Sequence, residues 1–169
     1  MEYSVSDLVL YGMSGVCRIA AIETCKLGKE SAEYYRLVPL RDEKSTIYVP
    51  TNNPVLCGRM KKLLSPEEME RFLSEIPEQG WPWIENDRER QEKCQAVLLS
   101  ADRHSLAGII RMFYARRAGL AAIGKQLRAS DERFLSEAEK IAFGEMAVVL
   151  GIKPEEAADH FMMRLAVTE

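Results

Sequence analysis

The sequence is poor in the residues that build metal and redox sites. It has four cysteines and two histidines among 169 residues. No two cysteines have the C-x₂-C spacing of zinc sites or thioredoxin-like motifs, and there is no glycine-rich loop of the kind that cradles phosphate. We therefore expect no metal site and no cofactor, with the cysteines as free, mostly buried thiols.

Long apolar segments are also missing. The longest apolar stretch near the C-terminus, residues 146–152, is far shorter than the roughly 20 residues that span a bilayer. The first residues, MEYSVSD, lack the basic and apolar regions of a signal peptide. The 47% of hydrophobic and 29% of charged residues are typical of a globular protein. These features predict a cytoplasmic protein with no membrane partner.

Groups suited to catalysis are equally scarce. His104 and His160 both lie in predicted helices and in no recognisable motif. Cys17 and Cys25 lie in predicted strands, without a nearby basic helix terminus to activate a thiol. We therefore predict that the protein is not an enzyme and has no small-molecule substrate. A hydrolase with a cysteine nucleophile is the catalytic alternative, and rapid alkylation of one cysteine at neutral pH would favour it.

The first third of the chain has the pattern of short strands. β-branched and aromatic residues alternate with polar ones in residues 7–11, 16–24, 32–40 and 46–50. Turn residues separate these segments, as in the glycine-bounded run 12–15. Four or five short strands in about 60 residues fit a small, bent antiparallel sheet or an SH3-like barrel.

Helical signals begin at Ser65. Ser65 offers an N-cap hydroxyl, Pro66 suits the first helical position, and Glu68 is placed to complete a capping box. Apolar residues at helical spacing predict helices that end before Pro77, cover 86–99, follow Asp102, run from Ser130 to Gly151 and start again at Lys153. We therefore predict an α+β protein, with a β domain in residues 1–64 and an all-α helical bundle in residues 65–169.

Basic residues are concentrated in one segment, although the net charge is −3. The 26 residues from Arg103 to Arg128 contain no Asp or Glu. The six basic residues of this segment are Arg103, Arg111, Arg116, Arg117, Lys125 and Arg128. Such a patch suits the phosphates of nucleic acid. The alternative is a helix face that pairs with the acidic segments on either side.

Two tryptophans flank a proline in the linker Trp81-Pro82-Trp83. The linker has few apolar neighbours with which to bury both rings. An exposed Trp83 beside Arg88 and Arg90 would stack on an unpaired base or insert into a minor groove. The alternative is that both rings hold the two predicted domains together.

A small open sheet leaves unpaired main-chain groups along its edge strands. A partner strand can pair with such an edge, and its alternate side chains then provide specificity. Ile47, Tyr48 and Val49 form the candidate edge strand. The alternative is an ordinary edge strand that Lys44 and Pro50 protect from pairing.

Several segments, taken in order, resemble one known family. Similarity to the RNA-polymerase-interacting domain of the CarD family, which transcription-repair coupling factors also contain, lies in VSDLVLYGMSGVCRIAAIET, EYYRLVPL, TIYVP and the Gly58-Arg59 pair. Similarity to the helical domain of CarD-like regulators lies in SADRHSLAGIIRMFY and ASDERFLSEAEKIAFGEMAVVLGI. The resemblance implies a bacterial transcription regulator.

The resemblance also implies a protein partner. A Tudor-like N-terminal domain would bind the β subunit of RNA polymerase by strand addition, with Ile47, Tyr48 and Val49 at the contact. Cys25 belongs to the same predicted contact, because Cys25 and Tyr48 stand where the family often has basic residues on its polymerase-facing strands. An adaptor whose β domain binds a peptide of another protein, and whose helices form a dimer, is the alternative.

Promoter DNA is the second partner that the resemblance implies. The helical domain would contact DNA without reading a defined sequence and would modulate the stability of the open complex. Trp83, Arg88 and Arg90 are the nearest equivalents of the family's DNA-contacting residues. We expect these three residues and the basic residues of the segment from Arg103 to Arg128 to lie near DNA.

Overall fold

An antiparallel sheet is followed by helices, so the predicted α+β class is confirmed. The computed structural model describes residues 3–77 and 80–166, with side chains up to Met163. The chain divides between Leu63 and Leu64 into two compact units, here called the N-terminal unit and the helical unit. Among the described residues, no helix combines the length and the apolar character that crossing a membrane requires.

The described part of the N-terminal unit, residues 3–63, contains five antiparallel strands in the spatial order β4-β3-β2-β1-β5. The strands are β1 (Leu8–Tyr11), β2 (Val16–Leu27), β3 (Glu30–Pro39), β4 (Ile47–Pro50) and β5 (Met60–Lys62). The long hairpin of β2 and β3 turns at Gly28, whose φ of 88° favours glycine. The pairing shifts register between Ile19 and Ala21, and such a bulge bends a strand. The predicted antiparallel sheet is therefore confirmed.

Apolar side chains from several strands meet in one core in this unit. Ile19, Leu37 and Val49 are fully buried in it. The Tyr3 hydroxyl donates a hydrogen bond to the Met60 carbonyl oxygen at 2.9 Å, which ties the start of the described chain to β5. These core contacts thus hold β4 at one edge of the sheet and β5 at the opposite edge.

Two short elements were not predicted. The helix α1 (Pro54–Cys57) starts after Asn53, whose side chain accepts a hydrogen bond from the Leu56 amide. The strand β5 has only three residues and pairs with β1, far away in sequence. Asn53 and Pro54 together are a local signal for a helix start, whereas nothing local marks β5.

Within residues 64–77 and 80–166, the helical unit contains five helices. They are α2 (Pro66–Glu75), α3 (Asp87–Ser100), α4 (Arg103–Ala121), α5 (Ala129–Leu150) and α6 (Pro154–Ala166). The capping box at Ser65 is confirmed, because the Glu68 amide donates to Ser65 and the Ser65 amide donates to the Glu68 carboxylate. The helix predicted from Ser130 starts one residue earlier, at Ala129, and has Arg128 at the N-cap.

Apolar faces of these helices pack together around fully buried residues. Ile110 and Phe113 of α4 contribute to this core, as do Leu98 of α3 and Leu135 and Ile141 of α5. Among the side chains that the structure describes, those of Arg90, Asp131 and Glu145 are charged and buried as well. Burial of a charge lowers the stability of the fold unless an opposite charge or hydrogen bonds neutralise it. The partners of these charged residues therefore determine their role in the structure.

Candidate functional site

The outer strand β4 directs main-chain groups of Tyr48 away from the sheet. Thr51, just after β4, lies opposite Glu33 and donates its amide to the Glu33 carbonyl oxygen at 3.1 Å. Hydrogen-bonded and non-hydrogen-bonded pairs alternate along an antiparallel ladder. The main-chain groups of Val49 therefore face β3, whereas the N–H and C=O of Tyr48 face the open side.

Side chains of β4 divide between the core and the surface. Val49 is fully buried and Ile47 is half-buried, whereas Tyr48 is 39% exposed. The Tyr48 ring packs edge-on against Tyr34 of β3, with the ring centroids 6.1 Å apart. Of the three predicted contact residues in β4, Tyr48 alone offers both outward main-chain groups and an exposed side chain.

Cys25 lies apart from this edge. It is half-buried in β2 and pairs with Ala32 of β3, whereas β4 pairs with β3 from Tyr34 to Leu37. The structure therefore does not bring Cys25 together with Tyr48, and places it toward the turn of the β2–β3 hairpin.

Two other thiols are deeply buried. Burial raises the pKa of Cys17 to about 11, and burial followed by the nearby Asp131 carboxylate raises the pKa of Cys94 to about 11. Both thiols are therefore protonated at neutral pH. This argues against either of them as the nucleophile of a hydrolase, because the thiolate is the reactive form.

Arg90 is buried at the centre of an ion-pair cluster. Its guanidinium donates to both oxygens of Asp131, at 2.9 Å from Nε and 3.2 Å from Nη2. Nη1 donates to the Ile84 carbonyl oxygen at 2.8 Å, and Nη2 donates to Asp87 at 2.7 Å. The hydrogen bond from Arg90, and a further pairing with Arg128, lower the pKa of Asp87. Arg90 thus connects α3, α5 and the segment before α3.

Arg103 and Arg111 also lie against the protein rather than projecting freely. Arg103 forms a salt bridge with buried Glu145, with 2.6 Å between Nη2 and Oε1. The same Glu145 carboxylate accepts the Leu64 amide at 3.2 Å. Arg111 is half-buried and lines a cavity of about 170 Å³ together with Trp81. The first part of the acid-free segment therefore belongs to the packing of the helical unit.

The other four basic residues of the segment from Arg103 to Arg128 are exposed. Arg116 and Arg117 lie near the C-terminal end of α4, and Lys125 and Arg128 lie in the connection to α5. We call these four residues the α4 basic surface. Arg88 is exposed as well, and it forms a salt bridge with Glu92 one turn further along α3, with 3.0 Å between Nε and Oε1.

The two tryptophans have different surroundings. Trp81 lies against α4, where its amide donates to the Gly108 carbonyl oxygen at 3.2 Å. A Cβ at Gly108 would lie only 2.5 Å from the Trp81 Nε1, so glycine is required there. Trp83 is half-buried and packs edge-on against Phe113, with the ring centroids 6.1 Å apart.

Two guanidinium groups lie over the Trp83 ring. The Cζ of Arg90 is 4.4 Å from the ring centroid and the Cζ of Arg116 is 4.8 Å from it. The structure thus brings Trp83 together with Arg90, as the sequence suggested, and with Arg116, which it did not. Asp131 and Phe113 complete these surroundings. The sequence did not indicate that they belong to this site, because each lies far from Trp83 along the chain.

A family model identifies the N-terminal unit. Residues 3–63 match the model described as the CarD-like/TRCF RID domain. This domain is a protein-interaction domain whose partner is RNA polymerase, and it is not catalytic. The match covers all five strands, including the β4 edge. Residues 3–63 therefore form a domain of the CarD-like/TRCF RID family, the RNA-polymerase-interacting domain of a transcription-related protein.

Proposed function

We propose that this protein is a non-enzymatic transcription regulator that binds the β subunit of RNA polymerase through β4 and contacts promoter DNA through its helical unit. The second contact changes the stability of the open complex. The observation that carries the proposal is the open β4 edge of an RNA-polymerase-interacting domain, in the same chain as an exposed basic surface.

Strand addition at β4 is supported by the direction of its main-chain groups. An added strand needs a donor and an acceptor that face outward, and the register gives Tyr48 both. The exposed tyrosine ring, supported by Tyr34, adds apolar and hydrogen-bonding surface at the same place. Pro50 has no N–H, so Tyr48 is the central residue of the contact that we propose.

Contact with DNA is supported by the α4 basic surface. Arg116, Arg117, Lys125 and Arg128 are exposed and lie in the segment without carboxylates. Long cationic side chains of this kind neutralise phosphates without reading sequence. Arg90 and Arg103 are engaged with the buried carboxylates of Asp131 and Glu145, so we leave them out of the proposed DNA contact.

Salt should weaken DNA binding steeply. We expect the logarithm of the association constant to fall linearly with the logarithm of salt concentration, by about 0.9 for each phosphate neutralised. Fluorescence anisotropy with a labelled promoter duplex at several salt concentrations measures this slope. A scrambled duplex of the same length should give the same slope and nearly the same affinity. Absence of binding at low salt, or a slope near zero, would contradict the proposed DNA contact.

The lifetime of the open complex tests the regulatory part of the proposal. We expect reconstituted polymerase–promoter complexes to dissociate at a different rate when the protein is present, because it adds contacts to polymerase and to DNA at once. Challenge with a competitor, followed over time by footprinting of the melted region, measures that rate. An unchanged rate at a saturating concentration of the protein would contradict open-complex modulation.

A further inference from the structure

The sheet of the N-terminal unit carries an aromatic pair beside its open edge at β4. Residues that lie directly opposite each other in neighbouring strands share one face of a sheet. The register places Tyr34 opposite Pro50 and Arg36 opposite Tyr48. These four residues therefore lie on one face, which we call the outer face, whereas buried Val49 lies on the other face, against the core.

The two rings of the outer face meet almost at a right angle. The planes of Tyr34 and Tyr48 are 87° apart, and the ring centroids are separated by 6.1 Å. Tyr48 is 39% exposed, whereas Tyr34 is half-buried on the next strand inward. Tyr34 thus supports the Tyr48 ring from the side of the sheet, and the edge strand presents an exposed aromatic surface.

The charged residue opposite Tyr48 is engaged on the far side of β3. Glu23 of β2 lies opposite Tyr34 and so belongs to the outer face. Its Oε1 is 3.3 Å from the Nε of Arg36. Because β2 and β4 flank β3 on opposite sides, this ion pair holds the Arg36 guanidinium away from the open edge. The outer face beside the edge is therefore formed by uncharged Tyr34, Tyr48 and Pro50.

A strand added to β4 places one of its side chains next to this aromatic pair. The outward N–H and C=O of Tyr48 bond the added strand, and the residue opposite Tyr48 directs its side chain to the outer face. This holds for a parallel and for an antiparallel partner strand, because the side chains alternate in the same way. The Cβ atoms of opposite residues are about 4.5–5.5 Å apart, so the partner side chain contacts the Tyr48 ring.

We propose that the polymerase β subunit presents an apolar side chain, aliphatic or aromatic, opposite Tyr48, and that Tyr34 is the positioning residue that holds the Tyr48 ring for this contact. The inference rests on the proposed strand addition at β4 and adds the chemistry of the partner residue. An apolar side chain gains from packing against an aromatic ring. A charged side chain would lose hydration without gaining an opposite charge, because Arg36 and Glu23 neutralise each other.

Two substitutions of opposite charge test the chemistry of the partner residue. Tyr48→Lys and Tyr48→Glu keep the outward N–H and C=O, so the main-chain contact remains possible. We expect each to reduce the affinity of the full-length protein for the isolated β subunit by about tenfold, since either charge would be desolvated against an apolar side chain. Surface plasmon resonance measures both affinities. Binding by either variant as tight as that of the wild type, or tighter, would overturn the proposal.

Tyr48→Phe is the matched control for these two variants. It keeps the ring and removes only the hydroxyl, so we expect the affinity to stay within about twofold of the wild type. A loss as large as that from Tyr48→Lys would show that the hydroxyl bonds a polar partner group, and would overturn the apolar assignment.

A double-mutant cycle tests the role of Tyr34. Tyr34→Ala should reduce the affinity by about fivefold, and Tyr34→Phe should keep it, because the ring alone supports Tyr48. In a Tyr48→Thr background, Tyr34→Ala should have little further effect, since no ring is left to hold. Circular dichroism checks the fold of each variant. An equal loss in both backgrounds would overturn the positioning role.

Arg36→Gln separates apolar packing from charge pairing. Arg36 lies opposite Tyr48 but is engaged with Glu23, so the affinity should change by less than about twofold. A larger loss than that from Tyr34→Ala would indicate an acidic partner group and overturn the apolar assignment. Strand addition fails separately. Full binding by Tyr48→Pro excludes it, whereas loss of binding in Tyr48→Pro with tighter binding by Tyr48→Lys overturns only the assignment of the partner side chain.

Discussion

Substitution of Asp131 by asparagine should destabilise the helical unit by about 3 kcal/mol. The side chains of Arg90 and Asp131 are 2% and 3% exposed, so the change leaves a buried guanidinium without its main counter-charge. Removal of one partner from a buried ion pair is costly, because the remaining charge has lost its hydration. Urea unfolding of the full-length protein, followed by circular dichroism, measures the effect.

Asp87→Asn is the control for this prediction. Asp87 also pairs with Arg90, but its side chain is 48% exposed, and solvent screens the interaction. We expect a much smaller loss of stability than from Asp131→Asn. The same stability for Asp131→Asn as for the wild type would show that the buried pair does not hold the helices together.

Tyr48→Pro should reduce the affinity for the polymerase β subunit by one to two orders of magnitude. Proline lacks the N–H that Tyr48 directs outward, and an acceptor of the partner strand left without its donor costs about 1–3 kcal/mol. The ladder between β4 and β3 uses the main-chain groups of Val49, so the sheet should survive the substitution. Surface plasmon resonance with the isolated β subunit, combined with circular dichroism of the variant, measures both properties.

Tyr48→Thr separates the main chain from the side chain. Threonine keeps the outward N–H and a strong strand preference but removes the ring. We expect it to lose less affinity than Tyr48→Pro. Full binding by the proline variant would exclude strand addition at Tyr48, and the β subunit would then have to contact another part of the domain.

Features set by neighbouring residues could be predicted, whereas features set by distant partners could not. The helix start at Ser65 follows from three residues within one turn, and the alternation in β2 and β3 follows from a pattern along each strand. Arg90 was predicted at the DNA surface because it lies near Trp83 in the sequence and because the family resemblance implies DNA-contacting basic residues there. Its buried partner Asp131 is 41 positions away, and nothing in either segment indicates that they meet.

The acid-free segment illustrates the same difference. Its lack of carboxylates suggested one continuous basic surface, and the alternative was pairing with acidic flanks. Both descriptions apply to parts of the segment, and Arg128 at its end is exposed and also pairs with Asp87. Arg103 pairs with Glu145, 42 positions away, whereas Arg116 and Arg117 near the end of α4 are exposed. Sequence alone could count these charges, but only the packing of α4 against α5 separates the two groups.

The contact between Trp81 and Gly108 has a consequence for how this sequence can diverge. Any side chain at position 108 would collide with the indole, and a small residue at position 81 would leave a gap against α4. A change at one of the two positions is therefore tolerated only after a change at the other. If the two residues change one after the other, the variant with a single change is less stable than the starting protein. We therefore expect the two residues to be kept together or replaced together.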